Sequence, residues 1–263
     1  MSKDKFDEWT SDDWKRKLQQ QAEDSREYRY KLYDKVDLKS KQKILDAGCG
    51  TGAITMDIAQ LAEGEVVGVD IDTEKLEQAE KLLAEISNAR VMEADITALP
   101  FEDESFDLVV FNIVLIHVKD QQKAVDEMAR VTKPGGIVLG TLEPDYDGMI
   151  AYPETEYTDL WKKSVSVLGA DLQTGRKLKF LFNKAGLKTE VGFDTETEFL
   201  LINDIKTQLD AFTKNFWVAE KIFVKNGWSK EKIEEFKSNQ TEAIKNGLVF
   251  ILSTAFWVVG IKR

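Results

Sequence analysis

KILDAGCGTGAIT, residues Lys43–Thr55, places Gly48, Gly50 and Gly52 at alternate positions directly after a short apolar run. Glycine lacks a Cβ, so it reaches backbone angles that other residues avoid and lets a ligand approach the main chain closely. The stretch stands where a strand gives way to a helix, and the first N–H groups of a helix are unpaired and partly positive. A small polar ligand suits such a turn. The open point is whether that ligand is a phosphate.

Outside this turn, the bulk properties narrow the options. With 263 residues and 43% hydrophobic content, the chain can build one large α/β domain, or one domain with a substantial insertion. Lys+Arg number 36 against Asp+Glu 47, a net charge of −11. That balance opposes a nucleic-acid-binding surface, which clusters cations. The single cysteine, Cys49, excludes an intrachain disulfide and fits a reducing compartment, and the single histidine, His117, excludes a multi-histidine metal site. No metal is expected. The N-terminal MSKDKFDEWTSDD lacks the apolar core of a signal peptide. The longest apolar stretch, LVFILSTAFWVVGI at Leu248–Ile261, is shorter than the about 20 residues a spanning helix needs, and its β-branched and aromatic residues predict a buried strand. The expectation is a soluble, cytoplasmic monomer or homodimer with a small-molecule substrate and no nucleic-acid or membrane partner.

The order of elements follows from periodicity. Residues 1–40 read as an N-terminal helical cap anchored by Trp9, Trp14, Leu18, Tyr28, Leu32 and Tyr33. From Lys43 strands and helices alternate: strand Lys43–Ala47, helix Ala53–Glu63, strand Glu65–Asp70, helix Thr73–Ser87 capped by Thr73, strand Ala89–Ala94, strand Phe106–Ile113, helix Asp120–Val131, a KPGG turn and strand Ile137–Thr141. Such alternation predicts a parallel sheet with helices on both faces. Beyond residue 142 come helices Tyr157–Leu168 and Leu172–Ala185, a strand Lys188–Phe199, helices Asp204–Asn226 and Lys230–Asn246, and the closing strand. The two late strands read as an antiparallel pair at one sheet edge, with the helices around them as a lid. Residues 41–263 thus form the main domain, carrying helical substrate-cap insertions at about 143–186 and 200–247.

Two ligands compete for the turn. A dinucleotide fold wants G-x-G-x-x-G for its pyrophosphate, whereas this chain has G-x-G-x-G with Asp46 just ahead. A carboxylate there repels paired phosphates and suits an ammonium group. The next strand ends in GVDID, putting Asp70 where it can accept from both hydroxyls of a ribose. EADITALPF then puts Asp95 where an exocyclic amine can be read, with Ile96 beside it to pack on a base. Taken singly, these acids are equally well explained as helix caps and solvated strand ends.

DAGCGTG, GVDID, EADITALPF, FDLVVFNIVLIHV and RVTKPGGIV, in this order and spacing, resemble the class I S-adenosylmethionine-dependent methyltransferases, most nearly their small-molecule branch. The resemblance covers roughly residues 40–142. It implies a Rossmann-like, seven-stranded α/β sheet with the last strand inserted antiparallel, flanked by helices. It further implies S-adenosyl-L-methionine as cofactor and S-adenosyl-L-homocysteine as product. Carried over by residue, Asp46, Gly48, Cys49 and Gly50 hold the methionyl part and Asp70 the ribose. Ile71 and Ile96 flank the adenine, Asp95 accepts from its amine, and Asn112 offers its backbone carbonyl near the ammonium or sulfonium. Arg26 or Arg29 is a candidate partner for the cofactor carboxylate, with solvated helix charges as the other explanation.

Methyl transfer from a sulfonium leaves a neutral thioether, so alignment and exclusion of water matter more than acid–base groups. His117, just past the fourth strand, is the candidate base for a hydroxyl or carbon acid, or else a packing residue at a helix start. Cys49, expected buried in the turn, is a poor nucleophile. FNIVL stands where amino-group methylation of bases would need [DN]-P-P-[YF]. Glu143, Asp145, Tyr146 and Tyr152 are candidate substrate contacts, and Arg176 a candidate for an anionic substrate group. Phe212, Phe216, Trp217, Phe223 and Trp228 cap the substrate or pack helix to sheet. The function that follows is methyl transfer to a small acceptor at O, N, C or S. The alternatives are a protein or RNA methyltransferase, a non-catalytic S-adenosylmethionine-binding protein, and a nicotinamide-dependent oxidoreductase.

Overall fold

The computed structural model describes residues 10–167, 169–193 and 204–263; Trp9 and most of the expected strand end at 194–199 lie outside them. Helices α1 (Ser11–Asp24) and α2 (Arg26–Lys35) precede strand β1 (Lys43–Ala47). Ile44 and Leu45 point to opposite faces of β1, and both are fully buried. A strand covered on both faces must be central. β1 accordingly pairs in parallel with β2 (Glu65–Asp70) on one side and β4 (Phe106–Phe111) on the other, while β3 (Ala89–Glu93) lies beyond β2 and β5 (Thr132–Pro144) beyond β4.

The sheet order is β3-β2-β1-β4-β5-β9-β7, where β7 is Lys188–Gly192 and β9 is Ala255–Ile261. β9 runs antiparallel to both β5 and β7, so the seven-stranded sheet with its last strand inserted antiparallel is present as expected. Strand order reverses between β1 and β4, the place where open α/β sheets bind ligands. Tyr28, Leu32 and Tyr33 of α2 pack with Ile44, Ile58, Val66 and Leu108 on one face. Leu45, Val67, Val109, Met128, Leu178 and Phe182 fill the other.

Helix α3 (Ala53–Leu61) follows β1, and α4 (Thr73–Leu83) follows β2. Asp72, not Thr73, caps α4 by accepting from the Glu74 and Lys75 N–H groups. α5 (Gln121–Val131) is capped by Asp120 in the same way. KPGG is drawn into β5 instead of forming a free turn, because Gly135 donates to Lys262 O and Lys262 N to Gly136 O.

The stretch Leu248–Ile261 is not one buried strand. Its first part, β8 (Phe250–Leu252), pairs with β6 (Ile150–Tyr152) in a separate two-stranded ribbon, with Phe250 and Ile251 exposed. The break falls where the Asp145 N–H donates to Thr254 O and the Thr254 hydroxyl donates to Asp145 O. The lid aromatics likewise pack with one another more than on the sheet. In α6 (Glu156–Val167), α8 (Ile205–Lys225) and α9 (Lys230–Lys245), Phe212, Phe216, Phe223, Trp228 and Phe236 gather with Tyr157. Phe223 and Trp228 stack at 4.1 Å. Helix α7 (Thr174–Lys184) returns to the sheet through Leu178 and Phe182. α1 is fastened to α8 by Gln20 to Asn215 (2.7 Å), Asp13 to Lys221 (2.8 Å), Asp24 to Lys214 (2.6 Å) and Arg16 over Trp217.

Two glycines separate backbone strain from packing. Gly52 and Gly186 both adopt positive φ, at 83° and 79°. A Cβ on Gly52 would meet Ala79 Cβ at 2.9 Å, whereas nothing lies within 4 Å of one on Gly186. Gly186→Ala should cost about 1–2 kcal/mol of conformational strain, and Gly52→Ala a further ~1–3 kcal/mol of overpacking. Urea denaturation of the two variants compares them, and equal losses would contradict the packing of α4 on the turn.

Candidate functional site

The site is built where β1 and β2 end. Val69 O accepts from both Gly48 N (2.7 Å) and Cys49 N (2.9 Å), turning the chain back over the strand end. Gly48 has φ 83° and no space for a Cβ, since Val114 Cγ2 would lie at 2.6 Å. At Gly50 the same atom would meet only Leu18 Cδ1 (3.9 Å) and Lys75 Cδ (4.0 Å), flexible tips that leave the main chain approachable. Cys49 packs instead against Gly68, where an added Cβ would meet the Cys49 Cβ and Sγ at 3.0 Å. Burial, with the nearby Asp46 and Asp70 charges, pushes its thiol pKa well above the ordinary value, so it is no nucleophile.

The acids differ in how far they are satisfied. Asp70 accepts from Gly50 N (2.8 Å) through one oxygen and Asp72 N (2.9 Å) through the other. Each oxygen keeps a second lone pair. Asp46 is 1% exposed, and its Oδ2 accepts from the Thr55 hydroxyl at 2.6 Å. Its Oδ1 makes no hydrogen bond among the described residues, and burial raises the carboxyl pKa to about 7. Asp95 is exposed, its Oδ1 accepting from the N–H and hydroxyl of Thr97, both at 2.8 Å. Oδ2 is left open. Ile71 stands 64% exposed on this rim, whereas Ile96 is packed into the core beside Leu99.

The two arginines are placed otherwise than expected. Arg29 is fully buried, donating to Ala22 O (2.8 Å), the Ser25 hydroxyl (2.6 Å) and the Asp57 carboxylate. Arg26 also pairs with Asp57, at 3.3 Å. Asp57 is itself buried, and a buried carboxylate needs such partners. Arg29 is therefore neither a solvated helix charge nor free to hold a ligand carboxylate.

Beyond β4, Asn112 accepts from the Thr141 hydroxyl (2.8 Å), and Ile113 takes φ 55°, costly for a β-branched residue. Glu143 explains how that strain is held. Its fully buried carboxylate accepts from the N–H groups of Val114 (2.6 Å), Leu115 (3.3 Å) and Ile116 (3.2 Å), capping the 3-10 turn Leu115–His117. Glu143 is thus a backbone support, not a substrate contact. Asp145 and Arg176 likewise consume each other in a two-pronged pair at 2.5 and 2.6 Å. Tyr146 packs edge-on against Trp161, a residue the sequence did not single out. Tyr152 is 73% exposed on the β6 ribbon and stands outside that cluster. His117 is exposed, and desolvation by the surrounding protein together with the Lys75 charge lowers its pKa, which favours the neutral imidazole. Among the described residues no group of His, Cys, Asp and Glu is arranged to hold a metal.

Known proteins resemble this chain in sequence and in fold. Residues 45–140 match the family model described as a methyltransferase domain. An uncharacterised methyltransferase of Schizosaccharomyces pombe is 36% identical over 154 residues, 54% of this chain and 55% of that protein. The demethylmenaquinone methyltransferase of Staphylococcus aureus strain MRSA252 is 36% identical over 114 residues, 43% of this chain and 47% of that protein. The chain thus spans about half the length of the curated relatives it matches. Among solved structures, the YcgJ protein of Bacillus subtilis superposes with a TM-score of 0.58 at 21% identity, covering 90% of this chain and 99% of that one. A Haemonchus contortus phosphoethanolamine N-methyltransferase with bound S-adenosylhomocysteine gives 0.62 at 20%, covering 90% and 53%. The [4+2]-cyclase SpnF gives 0.58 at 18%, covering 92% and 83%. At these identities the structural likenesses show a shared fold.

Glu143 supplies a pH test of the site's support. Burial raises its carboxyl pKa to about 7 from an ordinary value of 4.5. Folding then takes up a proton between those values, so the stability this group contributes is fully present below pH 4.5 and is lost as pH rises through about 7. The unfolding free-energy gap between wild type and Glu143→Gln, measured in urea, should narrow by on the order of 1–3 kcal/mol from pH 4.5 to 8. A gap that stays constant would show a carboxyl titrating alike in both states.

Proposed function

We propose that residues 45–140, which match a methyltransferase-domain family model, form a class I S-adenosylmethionine-dependent methyltransferase domain whose cleft binds S-adenosylmethionine and delivers its methyl group to a small organic acceptor. The observation that carries this reading is the pairing of an open main chain at Gly50 with the uncommitted Oδ1 of Asp46 behind it. A cationic amino group satisfies that oxygen; a pyrophosphate would be repelled by it. Asp70 lies one strand away with lone pairs for ribose hydroxyls, and Ile71 and Asp95 offer an apolar face and an acceptor for adenine.

The bound sulfonium supplies an electrophilic methyl group and a neutral leaving thioether. The protein's own contribution is placement. Glu143 fixes the backbone of Val114–Ile116, Val114 closes over Gly48, and Leu18 of α1 covers Gly50. These contacts align the donor site with the acceptor side and keep water out. A nitrogen of neutral His117 at the rim is the group we assign to receive a proton from a hydroxyl or carbon-acid acceptor.

Calorimetry tests the reading. S-adenosylhomocysteine should bind wild type, and Asp70→Ala should weaken it about tenfold to a hundredfold, the range for hydrogen bonds to a charged group. Because the ammonium binds ionised Asp46, affinity should rise with pH up to about 7, and fall again as the ligand's own amino group loses its proton near ~8. Asp46→Asn should abolish the acid limb. Tighter binding of a nicotinamide dinucleotide than of S-adenosylhomocysteine would refute the assignment.

A further inference from the structure

The Lys17 ammonium lies 5.7 Å from the centre of the Trp161 ring and makes no ion pair or hydrogen bond among the described residues. Asp24, the carboxylate whose field reaches it, is held by Lys214 at 2.6 Å. Burial lowers the pKa of Lys17 below the ordinary value. Trp161 meets Tyr146 edge-on at 5.9 Å, and Tyr146 lies close enough to Tyr157 for their charges to repel. Neither tyrosine hydroxyl has a hydrogen-bond partner among the described residues. Burial raises the pKa of both, that of Tyr146 to about 12, so both remain protonated donors.

Tyr146 and Trp161 pack with an apolar floor of Ile113, Ile116, Val165, Ala170 and Leu172, while Tyr157 packs on the Phe223 cluster next to Tyr146. That floor adjoins His117, and Asp171 N donates to Ile116 O at 2.8 Å, fastening it to the end of β4. Lys17, Tyr146 and Tyr157 are half-buried, which leaves these donors open to solvent, and an ammonium without an ion pair among the described residues, set with phenol donors beside an apolar wall, is suited to an anion. The Trp161 ring, near the outer limit of a cation–π contact, compensates the Lys17 charge only in part. A ligand that is anionic at one end and apolar along its body satisfies all of them.

We propose that Lys17, Tyr146 and Tyr157 bind an anionic oxyacid group, a carboxylate or a phosphate monoester, carried by the methyl acceptor, whose apolar body rests on Trp161 and Ile116. The assignment to the acceptor rests on reading the cleft as a methyltransferase centre. Leu18, the next residue along α1, covers Gly50, so one helix spans the donor turn and this hollow.

The probes are benzoate and phenyl phosphate, with benzamide and benzyl alcohol as neutral controls. Each is titrated into the full chain with and without saturating S-adenosylhomocysteine. Both acids should bind, the neutral analogues at least about tenfold more weakly, the scale of a charge-assisted hydrogen bond. Lys17→Met should lower acid affinity about tenfold, Lys17→Arg should restore most of it, and Tyr157→Phe should weaken it several-fold, with circular dichroism confirming the fold. S-adenosylhomocysteine affinity should stay within about twofold throughout, because the contacts lie apart from the glycine turn. The proposal is overturned if benzamide binds as well as benzoate, if neither acid binds folded wild type, or if Lys17→Met leaves the acids unaffected. It is equally overturned if that variant weakens only S-adenosylhomocysteine, which would give the lysine to the cofactor carboxylate. Benzoate bound through Lys17 in a protein that fails to bind S-adenosylhomocysteine would remove the methyltransferase reading and leave the anion site standing.

Discussion

The turn after β1 constrains everything around it, because three of its positions have no room or no permissible angle for a side chain. Val69 O holds two successive N–H groups there, Val114 fills the space above Gly48, and Ala79 that above Gly52. β2, β4 and α4 are thereby fixed to one point. Only Gly50 is left open, and Asp70 fastens its N–H from the side. A rigid backbone with a single approachable position is what a site needs if it is to bind without reorganising. The cost of fixing the turn is carried by the sheet that surrounds it.

The sheet was legible from local pattern because its central strands are short apolar runs bounded by turns, as in Val66–Val69 and Leu108–Phe111. The acids at the strand ends were legible for the same reason: a strand's last residue has one fixed direction. What local pattern does not carry is the pairing of distant charges. Arg29 reads as a solvated helix residue until α2 lies on α3 and meets Asp57. Glu143 reads as loop chemistry until β5 runs far enough to bury it under the turn it caps. Leu248–Ile261 reads as one strand because the break at Thr254 is set by Asp145, far away in sequence. Lys17 gave no signal at all, since a lysine on an amphipathic helix faces water unless a lid covers it.

The lid itself follows from the aromatic content of the later chain. α6, α8 and α9 hold their own cluster around Phe223, so they can stand away from the sheet and still be stable. While Trp161 and Val165 of α6 pack with Ile116, α1 helps to join these helices to the sheet, bonded to α8 along one side and touching the glycine turn with Leu18 on another. Its polar fastenings are partly exposed, and such pairs each contribute little.

The buried carboxylates differ in how far the protein itself compensates them. Asp57 is neutralised by two arginines, and Glu143 is met by three N–H groups. Both are compensated by the protein and do structural work. Asp46 has one hydroxyl on Oδ2 and no hydrogen bond to Oδ1 among the described residues, so it is the one of the three with room for a cation. Lys17 is the mirror case, an ammonium that makes no ion pair among the described residues. An under-compensated anion behind the turn and an under-compensated cation under the lid select opposite charges at the two ends. That asymmetry suits a cationic donor seated before an anionic acceptor, where the protein's unmet charges orient both partners and each ligand completes its own half of the site.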